Sequence, residues 1–236
     1  MRNDEPGISL TLEGTSWDNR RELGFFKSFF LTIQDVLFWP NEFFKHVKVS
    51  SSLTSPFLFA LVTTLIASVF LTIKDAYVVG IQEPIPLIVT FLLSGVQGVI
   101  VLFLSSGVWH LFVMIFGGQA GFRGTFTVFA YGNANSMITA IPLTGMLIAR
   151  QLDAQISVLV ILVIAMIGAW IWAFMILIAG FRHVHQMSLR RATLAYFIPV
   201  FLVFAAWIPL FFRLANPENH MYKSQQQGEH IERSTP

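Results

Sequence analysis

Residues 84–122 read PIPLIVTFLLSGVQGVIVLFLSSGVWHLFVMIFGGQAGF, 39 positions without a single Asp, Glu, Lys or Arg. A helix needs about 20 apolar residues to cross a bilayer, and a charge at its centre costs at least about 2.5 kcal/mol. Four more stretches share this property: residues 49–73, 124–149, 154–181 and 192–212. The charges between them sit in short connectors, where membrane gives way to water. The expected fold is all-α: a polytopic membrane helical bundle of five transmembrane helices, preceded by an amphipathic interfacial helix.

Composition agrees. Hydrophobic residues make up 55% of the 236 and charged residues 12%, against about 25% charged in a soluble domain. A net charge of +2, from 15 basic and 13 acidic residues, gives no basic stripe for nucleic acid. There is no cysteine, which excludes disulfides, thiolate metal sites and cysteine nucleophiles. The polar start, Met1-Arg2-Asn3-Asp4-Glu5-Pro6, has no apolar run after it to serve as a cleaved signal, so insertion is expected to depend on the spans.

Residues 1–21 read as a disordered tail, 22–55 as amphipathic interfacial or cytoplasmic helices, 56–213 as the five-helix domain, and 214–236 as a second disordered tail. From Glu22 to Phe38 the spacing places Phe26, Phe29, Phe30, Ile33, Val36 and Leu37 on one face, with Lys27, Ser28, Gln34 and Asp35 opposite. Such a Phe-rich face suits a helix lying in the membrane interface, or one packed on the cytoplasmic end of the bundle. Trp39-Pro40 breaks it, and Pro40 opens a short second helix. The spans are expected near 56–73, 86–116, 125–149, 156–181 and 192–212. A single helix over 86–116 would be about 46 Å long at about 1.5 Å per residue. It needs tilt, a non-spanning end, or a kink at Ser105-Ser106-Gly107.

Five spans with the N-terminus inside put six basic residues at inner ends (Lys45, Lys48, Arg123, Arg182, Arg190, Arg191) and four outside (Lys74, Arg150, Arg213, Lys223). Splitting the long interval to make six spans erases that bias. The expected orientation is N-terminus cytoplasmic and C-terminus outside.

Absences narrow the chemistry. No interval holds a carboxylate, so a buried aspartyl pair or an acidic proton relay has no members. His110 is the one histidine inside an interval, too little for zinc or iron, and is expected to bond a neighbouring helix. No phosphate-binding loop of the Walker type occurs. We therefore expect no catalytic residue, no metal and no cofactor. The main positive feature is Tyr131-Gly132-Asn133-Ala134-Asn135. Amides in hydrocarbon need partners, across helices or in a polar cavity. Gly132, Ser136 and Ala140 form a small-residue stripe, and Pro142 can kink the helix. These seven positions (Tyr131, Gly132, Asn133, Asn135, Ser136, Ala140 and Pro142), with His110 and Gln97, are the candidates for a polar cavity or helix-packing site. Arg182, Arg190 and Arg191 are candidates for lipid head-group contact. Arg182-His183-Val184-His185 sets its histidines two apart, a spacing that does not share a helical face.

The order of features, with Leu37-Phe38-Trp39-Pro40 and Phe43-Phe44 before the first span, resembles the Yip-domain family of five-span membrane proteins in its bacterial form. Gly121-Phe122-Arg123-Gly124-Thr125 leading into Phe129-Ala130-Tyr131-Gly132 fits the same pattern. So does Ala179-Gly180-Phe181-Arg182-His183-Val184-His185-Gln186-Met187-Ser188, followed by Arg191-Ala192 and Ile198-Pro199. The resemblance implies five helices, a cytoplasmic N-terminus and an outward C-terminus. Eukaryotic relatives are associated with Rab-type GTPases and vesicle traffic, a role for which the short N-terminal tail offers little surface.

The expected function is a non-enzymatic membrane protein that organises protein partners or lipids at the cytoplasmic membrane of a bacterium. A channel or transporter for a small solute or lipid, using a cavity near Tyr131–Asn135, is the alternative. An endoplasmic reticulum or Golgi membrane is the alternative location. Partners are the lipid bilayer and cytoplasmic-face proteins, not nucleic acid, with room for a homo-oligomer through Gly132, Ser136 and Ala140.

Overall fold

The computed structural model describes residues 14–49, 52–81, 83–152 and 154–215, with side chains described to Pro209. The expected tails at 1–13 and 216–236, and Lys223 of the charge count, lie outside the described residues. Every element among the described residues is helical: α1 (Arg20–Leu23), α2 (Phe25–Phe38), α3 (Pro40–His46), α4 (Thr54–Val78), α5 (Pro84–Ile115), α6 (Gly121–Gly132), α7 (Ala134–Gln151), α8 (Ile156–Val184) and α9 (Leu189–Ala215). The described residues through Tyr196 form one compact unit, and those from Phe197 belong to another. The described part of the second unit is the rest of α9, which stays helical through Pro199 and Pro209.

Among the described residues four helices are long and apolar enough to cross a membrane: α4, α5, α8 and α9. The second expected span is one unbroken helix of 32 residues. At about 1.5 Å per residue it is about 48 Å long. The helix runs without a break through Ser105-Ser106-Gly107, where Ser106 Oγ donates to Leu102 O in the preceding turn at 2.7 Å. The third expected span is two helices, α6 and α7, which meet at Asn133. Asn133 keeps right-handed helical torsions (φ −61°, ψ −15°), and its carbonyl accepts from Ser136 N–H at 2.9 Å. The interruption is thus one tightened turn. Pro142, expected to kink this segment, lies buried inside a continuous α7.

Cross-helix contacts fix the directions in the first unit. Asn133 reaches Ala60 and Thr144 reaches Phe70, so α4 and α6–α7 run parallel. Asn135 meets Ala169 and Thr125 meets His185, so α8 runs against them. Phe57 faces Phe103 and Gly98 faces Thr64, so α5 is antiparallel to α4. The order is up, down, up, down. Close approach depends on small residues: a Cβ on Gly180 would collide with Val128, and one on Gly132 would sit 2.8 Å from Leu177 Cδ2. Ala60, Leu102, Phe126 and Ala130 form a core where α4, α5 and α6 meet.

Residues 15–21, expected to be disordered, are instead folded. Thr15 and Asp18 cap each other: Thr15 N–H and Oγ1–H donate to Asp18 Oδ2 at 3.2 and 2.7 Å, and Asp18 N–H donates to Thr15 Oγ1 at 3.2 Å. This is the reciprocal arrangement that starts helices. It presents Trp17, 1% exposed, to α4, where Nε1 donates to Ser55 O at 2.8 Å. The Trp17 ring packs edge-on against Phe25, Phe29 and Phe59.

Candidate functional site

The single apolar face expected on α2 is divided. Phe29 and Leu37 are buried against the bundle, together with Ser28, Thr32 and Val36. Ile33 is half-buried, while Phe26 and Phe30 are exposed. The buried set repeats every four residues and docks the helix, and Trp172 Nε1 closes the joint by donating to Leu37 O at 2.8 Å. Phe26, Phe30, Phe38 and Trp39 remain outside it. Beneath α3, a pocket of about 330 Å³ is lined by Thr15, Asp35, Glu42 and His46 among others. Burial raises the Asp35 carboxyl above the usual carboxylate range.

This end of the first unit is basic. It gathers the N-terminal ends of α4 and α6 and the C-terminal ends of α5 and α8. Arg123, Arg182, Arg190 and Arg191 are all exposed there. Lys45 adds a further charge, paired with Glu42 at 2.6 Å. At the opposite end Lys74 is paired with Asp75 at 2.7 Å.

The histidines of the Arg182–His185 run diverge. His183 Nε2 meets Asn41 Oδ1 of α3 at 3.3 Å. His185 turns inward and is fully buried. Its Nδ1 accepts from Ala120 N–H at 3.3 Å, which leaves the proton on Nε2 to donate to Thr125 Oγ1 at 3.2 Å. The Thr125 hydroxyl also lies 3.1 Å from His110 Nδ1 and so links the two imidazoles. Burial, then the neighbouring His110, pushes His185 down to about 4. His110 bonds a neighbouring helix as the sequence suggested. His185 and Thr125 were not anticipated, although the tight glycines flanking them were a signal: a Cβ on Gly118 or Gly124 would press on the His185 ring.

The Tyr131–Asn135 cluster is split three ways. Tyr131 points to the N-terminal turn, its hydroxyl 3.3 Å from Thr15 Oγ1 and its ring against Phe43 and Phe59. Asn133 reaches into α4, where Nδ2 donates to Thr63 Oγ1 and Thr64 Oγ1, both at 2.9 Å, and to Ala60 O at 3.2 Å. Asn135 reaches α8, its Nδ2 donating to Ala169 O at 3.2 Å.

Between α4, α5, α7 and α8 lies a cavity of about 580 Å³. Gly132, Asn133, Asn135, Ser136 and Ala140 line it; Tyr131, Pro142, His110 and Gln97 do not. Gln97 is exposed on α5. The small-residue stripe therefore borders the cavity, while Gly132 also lets α8 approach closely. Asn135 Oδ1 and Ser136 Oγ are buried at this wall without a hydrogen-bond partner among the described residues.

The family model for the Yip1 domain matches residues 35–210. The chain belongs to the Yip1 domain family. The match spans α3 to α8, the last turn of α2 and most of α9, so the cavity and the buried histidine both lie inside the Yip1 domain, while Trp17 precedes it. No curated protein and no solved structure matches the chain.

Proposed function

We propose that this Yip1 protein is a non-enzymatic membrane organiser that gathers anionic lipid and protein partners at its basic end. α6–α7 acts with the four apolar helices as a fifth crossing, in the cytoplasmic membrane of a bacterium. The N-terminus is cytoplasmic and the C-terminus outside. One observation carries this reading: Phe26, Phe30, Phe38 and Trp39 stand exposed beside an arginine-rich end. Aromatic rings at headgroup depth next to unpaired cations match the chemistry of an anionic membrane surface. The same surface suits a partner that brings acidic side chains.

The cysteine-free chain allows a direct test. Arg190→Cys and Phe30→Cys are each introduced, and sealed vesicles are treated with a membrane-impermeant maleimide. Position 190 should label from the cytoplasmic side alone, and position 30 should resist labelling when anionic lipid is present. Labelling of position 190 from outside reverses the orientation and refutes the reading, as does turnover of any substrate by the purified protein. A second reading, movement of a small solute or lipid through the bundle, is favoured by the unpaired Asn135 Oδ1 and Ser136 Oγ at the cavity wall.

A further inference from the structure

We infer that the cavity between α4, α5, α7 and α8 is a binding site for a neutral lipid with a hydroxyl or amide N–H on an apolar chain. The volume, about 580 Å³, lies within the roughly 300–1,000 Å³ of small-molecule sites. Among the described residues no Asp, Glu, Lys, Arg or His lines it. A phosphate or ammonium group inside would therefore be an unpaired charge in a low-dielectric wall. Leu71, Leu102, Leu143, Met166 and Phe174 give the wall its apolar character, which suits an acyl or isoprenoid chain.

The polar groups of the wall are mostly committed. Ser68 Oγ donates to Thr64 O, and Thr139 Oγ1 to the carbonyls of Asn135 and Ser136. Thr64 Oγ1 is taken by Asn133. Two atoms remain. Asn135 is 4% exposed, and its Nδ2 is spent on Ala169 O, so its orientation is fixed and Oδ1 can only accept. Ser136 Oγ can give or take a hydrogen bond after a rotamer step about χ1. A ligand that satisfies both must donate, which selects an alcohol or an amide over an ester, an ether or a hydrocarbon.

Entry is sideways. α5 packs on α4 and α6, and α8 on α3, α6 and α7; Tyr196 at the start of α9 borders the cavity between Trp109 of α5 and Phe174 of α8, leaving a gap beside it. Val101 and Trp170 line the cavity and are each about half exposed, at 51% and 55%. A lipid can thus enter from the bilayer without passing through water. The inference rests on the proposed function only in placing the bundle in a bilayer.

The test uses the full chain in phosphatidylcholine nanodiscs with a diacylglycerol bearing a diazirine in one acyl chain. Crosslinks should map to cavity-lining positions of α5 and α8. Unlabelled diacylglycerol should compete, its O-methyl ether about tenfold less well, and phosphatidic acid with the same chains not at all. Ala173→Phe, which fills the cavity, should cut labelling about tenfold. Ser136→Ala removes an unpaired hydroxyl and is expected to fold at least as well; it should narrow the alcohol-over-ether preference below about threefold. Adducts spread evenly over the outer faces of α5 and α8 and unchanged by Ala173→Phe would overturn the site. Equal competition by alcohol and ether would overturn its polar selectivity. Either result, with position 190 still labelled from the cytoplasmic side, leaves the surface function standing. Labelling of position 190 from outside refutes the proposed orientation instead.

Discussion

Replacing Trp17 by alanine should detach the N-terminal turn and leave the bundle intact. The ring is 1% exposed and touches Phe25, Phe29 and Phe59. Burial of a large aromatic, about 150–250 Å² at about 25 cal/mol per Å², contributes about 4–6 kcal/mol. Losing the bond from Nε1 to Ser55 O removes about 1 kcal/mol more. What else ties residues 14–23 to the bundle is slight. Ser55 Oγ donates to Asp18 Oδ1 at 2.6 Å, Arg20 Nη1 donates to Ser55 Oγ at 3.1 Å, and Thr15 Oγ1 lies 3.3 Å from the Tyr131 hydroxyl. Ordering ten residues of backbone opposes them by about 10–20 kcal/mol before local hydrogen bonds are counted. The loss should therefore appear as local unfolding. Amide hydrogen exchange read by mass spectrometry is the assay. Protection over residues 15–23 should fall by about 10²-fold or more, with α4 and α8 unchanged. Trp17→Phe keeps most of the ring contact and should cost less than about tenfold. Unchanged protection in Trp17→Ala, or a loss spread equally over α4–α8, would refute the reasoning.

Asn133→Leu removes a donor pair shared among three acceptors on α4. At about 0.6–1.7 kcal/mol per interhelical bond in membranes, stability in mild detergent should drop by about 1–3 kcal/mol. Gly180→Ala sets a Cβ against Val128 and should lower stability by about 1–3 kcal/mol, read as a lower melting temperature. His185 predicts a pH dependence whose sign follows from linkage. Its folded value is about 4 and its unfolded value about 6.5, so between these the unfolded chain binds more protons. Stability should fall as pH drops from about 6.5 to about 4, by up to about 3 kcal/mol at about 1.36 kcal/mol per unit. Protonation would also put a hydrogen on Nδ1, which now accepts from Ala120 N–H. Asp35, whose folded value is raised, acts in the opposite direction, so melting temperatures at pH 7.5 and 4.5 should be compared between wild type and His185→Gln.

The long apolar helices were legible because charge is excluded from hydrocarbon whatever the neighbouring helix is. The charge-free stretch 124–149 obeys the same rule, yet among the described residues four other helices are the span candidates, because this stretch is divided at Asn133 into α6 and the more polar α7. Asn133 and Thr144 hold them along α4, and Asn135 holds α7 to α8. Pattern alone also divided α2 wrongly. Phe26, Phe29, Phe30 and Leu37 share an apolar arc, and only docking shows that Phe29 and Leu37 go inward. Trp17 was missed because polar neighbours hide one buried ring, yet Thr15-Ser16-Trp17-Asp18 does spell a helix start. The Tyr131–Asn135 cluster marks where three partners converge. At about 100° per residue Asn133 faces away from both Tyr131 and Asn135, but those two, four apart, share a face on a regular helix, so their separate partners, Thr15 and Ala169, were not legible from spacing. The cavity lies further from the sequence still. Gly98 on α5, Ser136 and Ala140 on α7 and Ala173 on α8 become a cavity wall only once the four helices are set in register. A stripe that sequence reasoning assigns to close helix contact can therefore also mark where contact is withheld. Ser136 decides between those meanings, because a hydroxyl left unpaired in a low-dielectric wall is a cost that tight packing alone gives no reason to keep.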